Sequence, residues 1–396
     1  MNRRQFLGTA ATLAALGAVP RAFAAAAYDL VIKGGHAIDP ASGLSAVRDV
    51  AIAGGKIAAV ADKIDAGAAQ VVNAAGKYVI PGMIDVHSHA GATKDGPALN
   101  VADGVTGYVD AGSKGAANID DAVAVVKAGP QTGRILINIA KPGVTGGGAT
   151  GGELMDINNA DVGAARAAIA KHRDLIIGIK ARLSANVVGK NDVEALRRAE
   201  EAAGSLPVMI HIGQSASPLS QVMGLLKKGD IVTHLFAPPP EAIIDEAGKI
   251  LPSVMDARAR GVWFDMGHGR GGHFRWDVAE KVLAAGFLPD TLSTDWTPEG
   301  RVSQFVDFPT VMSKLMYLGL SLEQVVAMAT SNAAKVFEAF RDKGTLKIGS
   351  VADVALLELR RGEFEFLDNY QGKRIGTQKL VPAGTVLAGK WSPRPA

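Results

Sequence analysis

The 396-residue chain has no cysteine. That absence removes disulfides, thiolate metal ligands and cysteine nucleophiles, so any metal must be held by histidine, carboxylate or similar groups. A thiol-free chain also suits an oxidising compartment. Aromatic residues are scarce at 5%, and five Tyr and four Trp mark no obvious interface. Charge of one sign is lacking as well: 42 Lys and Arg face 39 Asp and Glu, and Arg3, Arg4 and Arg21 in the first 24 residues account for the formal +3. The remainder is neutral, with no basic face to follow a phosphate backbone, which argues against nucleic-acid binding. What is present is a 48% hydrophobic composition with 47 Gly. Such a chain is folded rather than disordered, as two or three small domains or one large barrel with an appendage.

No apolar run spans a bilayer. Phe6 to Val19 is 14 residues, roughly 21 Å of helix against a hydrocarbon core of about 30 Å, and that length disfavours an uncleaved anchor. Asn2-Arg3-Arg4-Gln5-Phe6-Leu7 precedes this run as a twin-arginine pattern, and Ala22-Phe23-Ala24 follows it as a small-x-small cleavage site. Residues 1–24 are therefore expected to be a twin-arginine signal peptide. The expectations that follow are handling by the twin-arginine export machinery, a periplasmic destination, and no membrane attachment after cleavage.

Beyond the signal, Leu30-Val31-Ile32, Asp49 to Ile52, Lys56 to Val60 and Gln70-Val71-Val72 form short strand-like runs separated by Gly-rich turns. The same texture returns after residue 341. Between these ends, eight apolar runs alternate with helix-like stretches: Met83 to Val86, Thr106 to Val109, Ile135 to Ile139, Leu175 to Ile179, Val208 to Ile210, Ile231 to Thr233, Val262 to Phe264 and Thr291 to Ser293. Alternation of this kind predicts a parallel sheet, and eight strands in about 260 residues fit a closed barrel. The expected fold is α/β: a (β/α)8 TIM-like barrel over 81–340, beside a small β-sandwich domain formed from both chain ends, 28–80 and 341–396.

The ends of the runs carry chemistry. The first ends in His87-Ser88-His89, the fourth in Lys180, the fifth in His211, the sixth in His234, the seventh in His268 and the eighth in Asp295. In such a barrel the strand C-termini converge on one mouth, and residues two apart on an extended chain face the same way. Singly, each has a plainer explanation. His211 or His234 could be a hydrogen-bonded core histidine, Asp295 a helix cap and Lys180 a salt-bridge partner. Together, five of the eight histidines in register with a lysine and an acid point to a metal site. His273 and Arg270, on the loop after the seventh run, are candidates for substrate contact, whereas His36 and His172 read as structural or solvated. The loop Gly143 to Gly152 has six glycines but lacks the Gly-Lys-Ser/Thr ending of a phosphate cradle; it reads as a flap or a plain flexible loop.

Val79-Ile80-Pro81-Gly82-Met83-Ile84-Asp85-Val86-His87-Ser88-His89, Gly178-Ile179-Lys180-Ala181-Arg182, Ser293-Thr294-Asp295, and Gly344 to Gly349 followed by Ala352-Asp353 resemble the amidohydrolase superfamily. Phe264 to Gly269 and Gly286 to Asp290 resemble its two-metal deacetylase and dihydroorotase-like branch. The resemblance implies two divalent ions, most simply Zn2+. It assigns one ion to His87, His89 and Asp295, the other to His211 and His234, with a carboxylated Lys180 bridging both. It further implies a metal-bridged hydroxide attacking a carbonyl, Asp295 as general acid/base, and His268 as a catalytic hydrogen-bond donor at the substrate. The chain departs from the branch at Ala237-Pro238-Pro239-Pro240 and at Trp296 to Glu299, segments expected to line the mouth.

The leading expectation is hydrolysis of an amide-type C–N bond, deacetylation of a small N-acyl amino acid or similar compound, with an acyl ester as a related substrate. A cyclic amidohydrolase opening a ring amide, as a dihydroorotase does, is the second reading. A non-catalytic solute-binding barrel is the third, though it predicts lost ligands and none is lost. The expected partner is a small molecule, and the resemblance implies a homo-oligomer.

Overall fold

The structure, a computed structural model, describes residues 27–65, 67–145, 153–240, 242–304 and 306–394. The expected signal peptide, and residues 146–152 of the Gly-rich loop, lie outside the described residues. Among the described residues no helix is long and apolar enough to cross a membrane.

The chain begins with β1 (Tyr28–Asp39), β2 (Leu44–Ala53), β3 (Lys56–Ala61), β4 (Ala68–Asn73) and β5 (Tyr78–Pro81). Alternating exposure along β2, as in Leu44 to Arg48, shows strands with one face on a core and one in water. Seven parallel strands follow: β6 (Met83–Ser88), β7 (Val105–Gly115), β8 (Thr132–Asn138), β9 (Ile176–Arg182), β10 (Val208–His211), β11 (Ile231–Thr233) and β12 (Trp263–Phe264). The C-terminal strands β13 (Val354–Leu367), β14 (Lys373–Leu387) and β15 (Lys390–Pro393) return to the first five. Their pairing order is β15-β14-β13-β5-β1-β2-β3, with β4 beside β1, so one mixed eight-stranded sheet unites the two ends of the chain.

The parallel sheet pairs β6 through β12 in chain order, and residues 291–296 close it. Thr291 bridges Asp265 and Trp296 bridges Ser88. The Met266 and His268 amides donate to the Thr291 and Ser293 carbonyls at 3.0 and 3.1 Å, and the Asp295 amide donates to the His87 carbonyl at 2.7 Å. The eighth run, expected as a strand, is therefore a bridging segment of isolated contacts. A regular ladder cannot continue through Asp295, whose φ is 50°. Ile84, Val109, Leu136, Met209 and Ile231 from five strands share one apolar cluster with Phe337 and Phe340. Side chains from so many strands meet only on the concave side of a rolled sheet.

The helices between strands are amphipathic. In Asp192–Ala203 the buried Ala195, Leu196, Ala199, Ala202 and Ala203 lie at helical spacing. Helix Phe308–Tyr317 starts at Asp307, whose carboxylate accepts from the Thr310 amide at 2.7 Å. The larger apolar cluster joins these helices to the strands.

Candidate metal centre

Every strand of the ring runs the same way, so the residues at the strand ends meet at one mouth. A cavity of about 620 Å³ opens there, lined by His87, His89, Lys180, His211, His234 and Asp295, with Arg182, Arg270, His273, Lys114 and Glu299 in its wall. The volume is in the range that takes a small-molecule ligand.

Within it, Asp295 Oδ1 lies 3.3 Å from His87 Nε2 and 3.1 Å from His89 Nε2. Lys180 Nζ is 3.2 Å from His87 Nε2. The His211 and His234 rings are 4.3 Å apart, and His273 stacks on His234 at 3.9 Å. Ligand atoms of His87, His234 and Asp295 fall within 4.8 Å of one another, as do those of His211, His234 and His273. His273 thus joins the cluster more closely than its place in the sequence suggested.

Burial sets the protonation states. It pushes His87 down to about 3, His273 to about 4, and His211 and His234 well below the ordinary imidazole range, so their rings are neutral with lone pairs to offer. Burial also pushes the Lys180 amine down to about 7. For Asp295 burial acts upward, but the close approach of the His87 and His89 imidazoles outweighs it and holds the carboxyl well below the usual carboxylate range. His234 Nε2 is buried with no hydrogen-bond partner among the described residues. An orphaned imidazole nitrogen among neutral histidines and one carboxylate is the donor set of a divalent ion, and the residues present fit one.

Two hydroxyl relays orient the His87-Ser88-His89 pair. His87 Nδ1 meets Thr233 Oγ1 at 2.8 Å, and that hydroxyl donates to Asp265 Oδ2 at 2.7 Å. His89 Nδ1 meets Ser113 Oγ at 2.7 Å, and that hydroxyl donates to Asp110 Oδ2 at 2.8 Å. In both, Nδ1–H donates outward and Nε2 is left facing the cavity, the arrangement that fixes a ligating imidazole. His234 Nδ1 is held likewise by the Gly267 carbonyl at 2.7 Å. Sequence reading missed Thr233, Asp265, Ser113 and Asp110; the one available signal was a polar residue within or just after an otherwise apolar strand.

The backbone is strained where the chemistry concentrates. His234 and Asp295 sit at φ 71° and 50°, in the left-handed region that non-glycine residues seldom enter. Such conformations cost on the order of 1–3 kcal/mol each and persist where the surroundings fix them. Gly267 and Gly269 make the loop after β12 possible. A Cβ on Gly267 would lie 2.1 Å from Thr233 Oγ1, and one on Gly269 would lie 2.3 Å from the His273 ring and 2.9 Å from Asp295 Oδ2.

His268 requires correction. Expected at the substrate, it is wholly buried and absent from the cavity wall. Its Nδ1 donates to the Gly269 carbonyl at 2.7 Å, its Nε2 faces the Lys314 amine at 2.7 Å, and its ring stacks on Phe274. With both nitrogens engaged it has nothing left for substrate, and His273 from the same loop reaches the cavity instead. The two histidines set aside are structural: His36 meets Ser45 at 3.0 Å and His172 meets Asp120 at 2.7 Å.

A rolled parallel sheet with imidazoles, a carboxylate and a buried amine at its mouth defines a metal-dependent hydrolase of the barrel class. The sequence model of the amidohydrolase family matches residues 274–391. A deacetylase of Enterococcus faecalis is 32% identical over 92% of this chain and 98% of its own length, and a deacetylase of Agrobacterium fabrum is 30% identical over 87% and 88%. The crystal structure of an adenine deaminase superposes with a TM-score of 0.83 at 31% identity, covering 92% of this chain and all of that one. A dihydroorotase structure gives 0.80 at 26%, covering 92% and 99%. The chain belongs to the amidohydrolase superfamily and is a hydrolase acting on carbon–nitrogen bonds.

Proposed function

We propose that this protein removes the acyl group from a small N-acyl amino acid or a related acyl compound. The observation that carries the reading is the convergence of His87, His89, Lys180, His211, His234 and Asp295 on a cavity whose wall holds Lys114, Arg182 and Arg270 against Glu299. Arg182, paired with the buried Glu153, and Lys114, 3.8 Å from Asp121, give the wall fixed N–H donors that suit a substrate bearing a carboxylate. The similarity to deacetylases over nearly the whole chain supports the same bond.

Two divalent ions, taken here as zinc, would supply an acidified water and a polarised carbonyl when bound. His87, His89 and Asp295 are assigned to one ion and His211 and His234 to the other. Lys180, a buried amine pushed down to about 7, can add to carbon dioxide, forming an N–C bond and losing a proton. The resulting carbamate would offer two anionic oxygens where a free ammonium would be repelled. Asp295, bracketed by His87 and His89, accepts the water's proton and returns it to the departing amine nitrogen. His273 and Arg270 hold the substrate's polar groups.

The decisive experiment is a hydrolysis screen of metal-reconstituted protein against N-acetyl amino acids, acetyl esters, ring amides and adenine. Turnover of N-acetyl amino acids supports the reading. Preference for a ring amide or adenine would replace it with the activity named for the dihydroorotase or adenine deaminase relatives. We also propose that 28–80 and 341–396 form a β-sandwich domain beside a barrel over 81–340, and that residues 1–24 direct export to the periplasm.

A further inference from the structure

The hairpin of β13 and β14 belongs by topology to the terminal sheet, yet its tip reaches the barrel mouth. There it grips the loop after β12 at several points. The Asn369 side-chain carbonyl accepts from both the His273 and Phe274 amides at 2.9 Å, and its Nδ2 donates to the Gly269 carbonyl at 3.1 Å. The Asn369 amide donates to the Phe274 carbonyl at 3.0 Å. Asp368 accepts from the Trp276 amide at 3.2 Å, and the Trp276 indole donates to the Gly372 carbonyl at 3.0 Å. Beneath the tip, the buried Lys314 amine contacts His268 and donates to the Leu367 carbonyl at 2.6 Å. The tip itself is pre-set, because Asp368 Oδ1 accepts from the Tyr370 and Gly372 amides at 2.8 and 2.7 Å.

His273 carries this grip into the cavity. Its amide ends on Asn369, and its ring stacks on His234 with Nε2 3.9 Å from Asp295 Oδ2. A loop bearing Gly267, Gly269, Gly271 and Gly272 has too many accessible conformations to hold an imidazole there unaided. We infer that Asn369 is a positioning residue of the hydrolytic site, placed by the terminal sheet, which fixes the His273 ring against the bound substrate. This rests on the reading of the cavity as a hydrolytic centre.

The test uses full-length, metal-reconstituted protein with the best substrate from the screen. Asn369→Ala is expected to lower kcat/KM roughly 10–100-fold, the usual cost of misplacing a substrate-contacting group, with metal content unchanged. His273→Ala should lose a similar factor, and the losses in the double variant should be well short of additive, because Asn369 acts on the site chiefly through that ring. Glu365→Gln, on the exposed hairpin stem, should leave the rate unchanged. If Asn369→Ala folds poorly, Asn369→Gln keeps the amide but displaces it by a methylene and should show the same rate loss. Additive losses in the double variant, wild-type kcat/KM in Asn369→Ala, or metal lost together with rate would each overturn the inference. Amide hydrogen exchange reads the clamp without turnover: His273 and Phe274 should exchange at least about tenfold faster in Asn369→Ala, a loss of roughly 1.4 kcal/mol of protection. Unchanged exchange overturns the clamp even if activity falls. A wild type that is inactive on every substrate, yet shows the exchange difference, instead sinks the hydrolytic reading.

Discussion

Ser113 stands between His89 and Asp110, its hydroxyl 2.7 Å from the imidazole Nδ1 and 2.8 Å from the carboxylate. This contact across adjacent barrel strands decides which nitrogen of His89 faces the cavity. Without the hydroxyl the ring can rotate or change tautomer, and the buried Asp110 loses one of its donors. Ser113→Ala is expected to weaken binding of the ion assigned to His89 roughly 10–100-fold. Competition of the reconstituted protein against a chromophoric chelator measures it, and an unaltered dissociation constant would remove the relay from the site.

Lys180 and Asp295 are separable by what they leave behind. Lys180→Ala should lose bound metal and activity together, with partial recovery in a short-chain carboxylic acid that supplies the missing anion. Asp295→Asn should keep much of the metal and lose nearly all turnover, because the amide still coordinates but cannot carry a proton. Metal analysis beside rate measurement distinguishes the two. Full metal in Lys180→Ala, or an active Asp295→Asn, contradicts the assigned role.

The gathering of His87, His89, Lys180, His211, His234 and Asp295 was legible because residues ending successive parallel strands meet at one mouth. The choice between His268 and His273 was not. Both sit on one glycine-rich loop, and which ring faces the cavity is decided by Lys314 and by Asn369, nearly 100 residues away in sequence. The relays were hidden for the same reason: Thr233 lies 146 residues from His87, and a hydroxyl ending an apolar strand is common. The eighth run carried a strand's apolar pattern, but the left-handed turn at Asp295 interrupts its ladder. Periodicity does not encode such a turn. The two-ended sheet could be anticipated from the matching texture of both termini, whereas the reach of its hairpin to the mouth depends on strand lengths seen only in the fold.

Gly269 should tolerate no side chain. Its φ is 60°, and a Cβ would press on both the His273 ring and the Asp295 carboxylate. Gly269→Ala is therefore expected to destabilise the fold by about 1–3 kcal/mol and to lower kcat/KM more than that loss explains. Thermal unfolding and steady-state kinetics on one preparation give both quantities. A variant with wild-type kinetics would show that the loop yields without moving His273.

Export provides a test that needs no enzymology. If Arg3 and Arg4 open a twin-arginine signal, replacing both with Lys should strand the full-length chain in the cytoplasm, and blocking that route should do the same to the wild type. Fractionation with immunodetection reads the outcome, and export that survives both changes would refute the assignment.

Asp103 supplies a pH dependence remote from the candidate metal centre. Burial pushes its carboxyl up from 3.8 to about 6, against the opposing pull of Arg301. The folded state then holds the proton more tightly than the unfolded chain. The stabilisation from this group is complete below pH 3.8 and is lost as pH rises through about 6. The shift corresponds to about 3 kcal/mol. Asp103→Asn cannot titrate, so its stability should gain on the wild type by about that amount between roughly pH 4 and 7. Urea unfolding of both proteins across that range measures the difference. A constant gap between the two curves would mean that Asp103 titrates alike in the folded and unfolded chains, with its charge fully satisfied by Arg301.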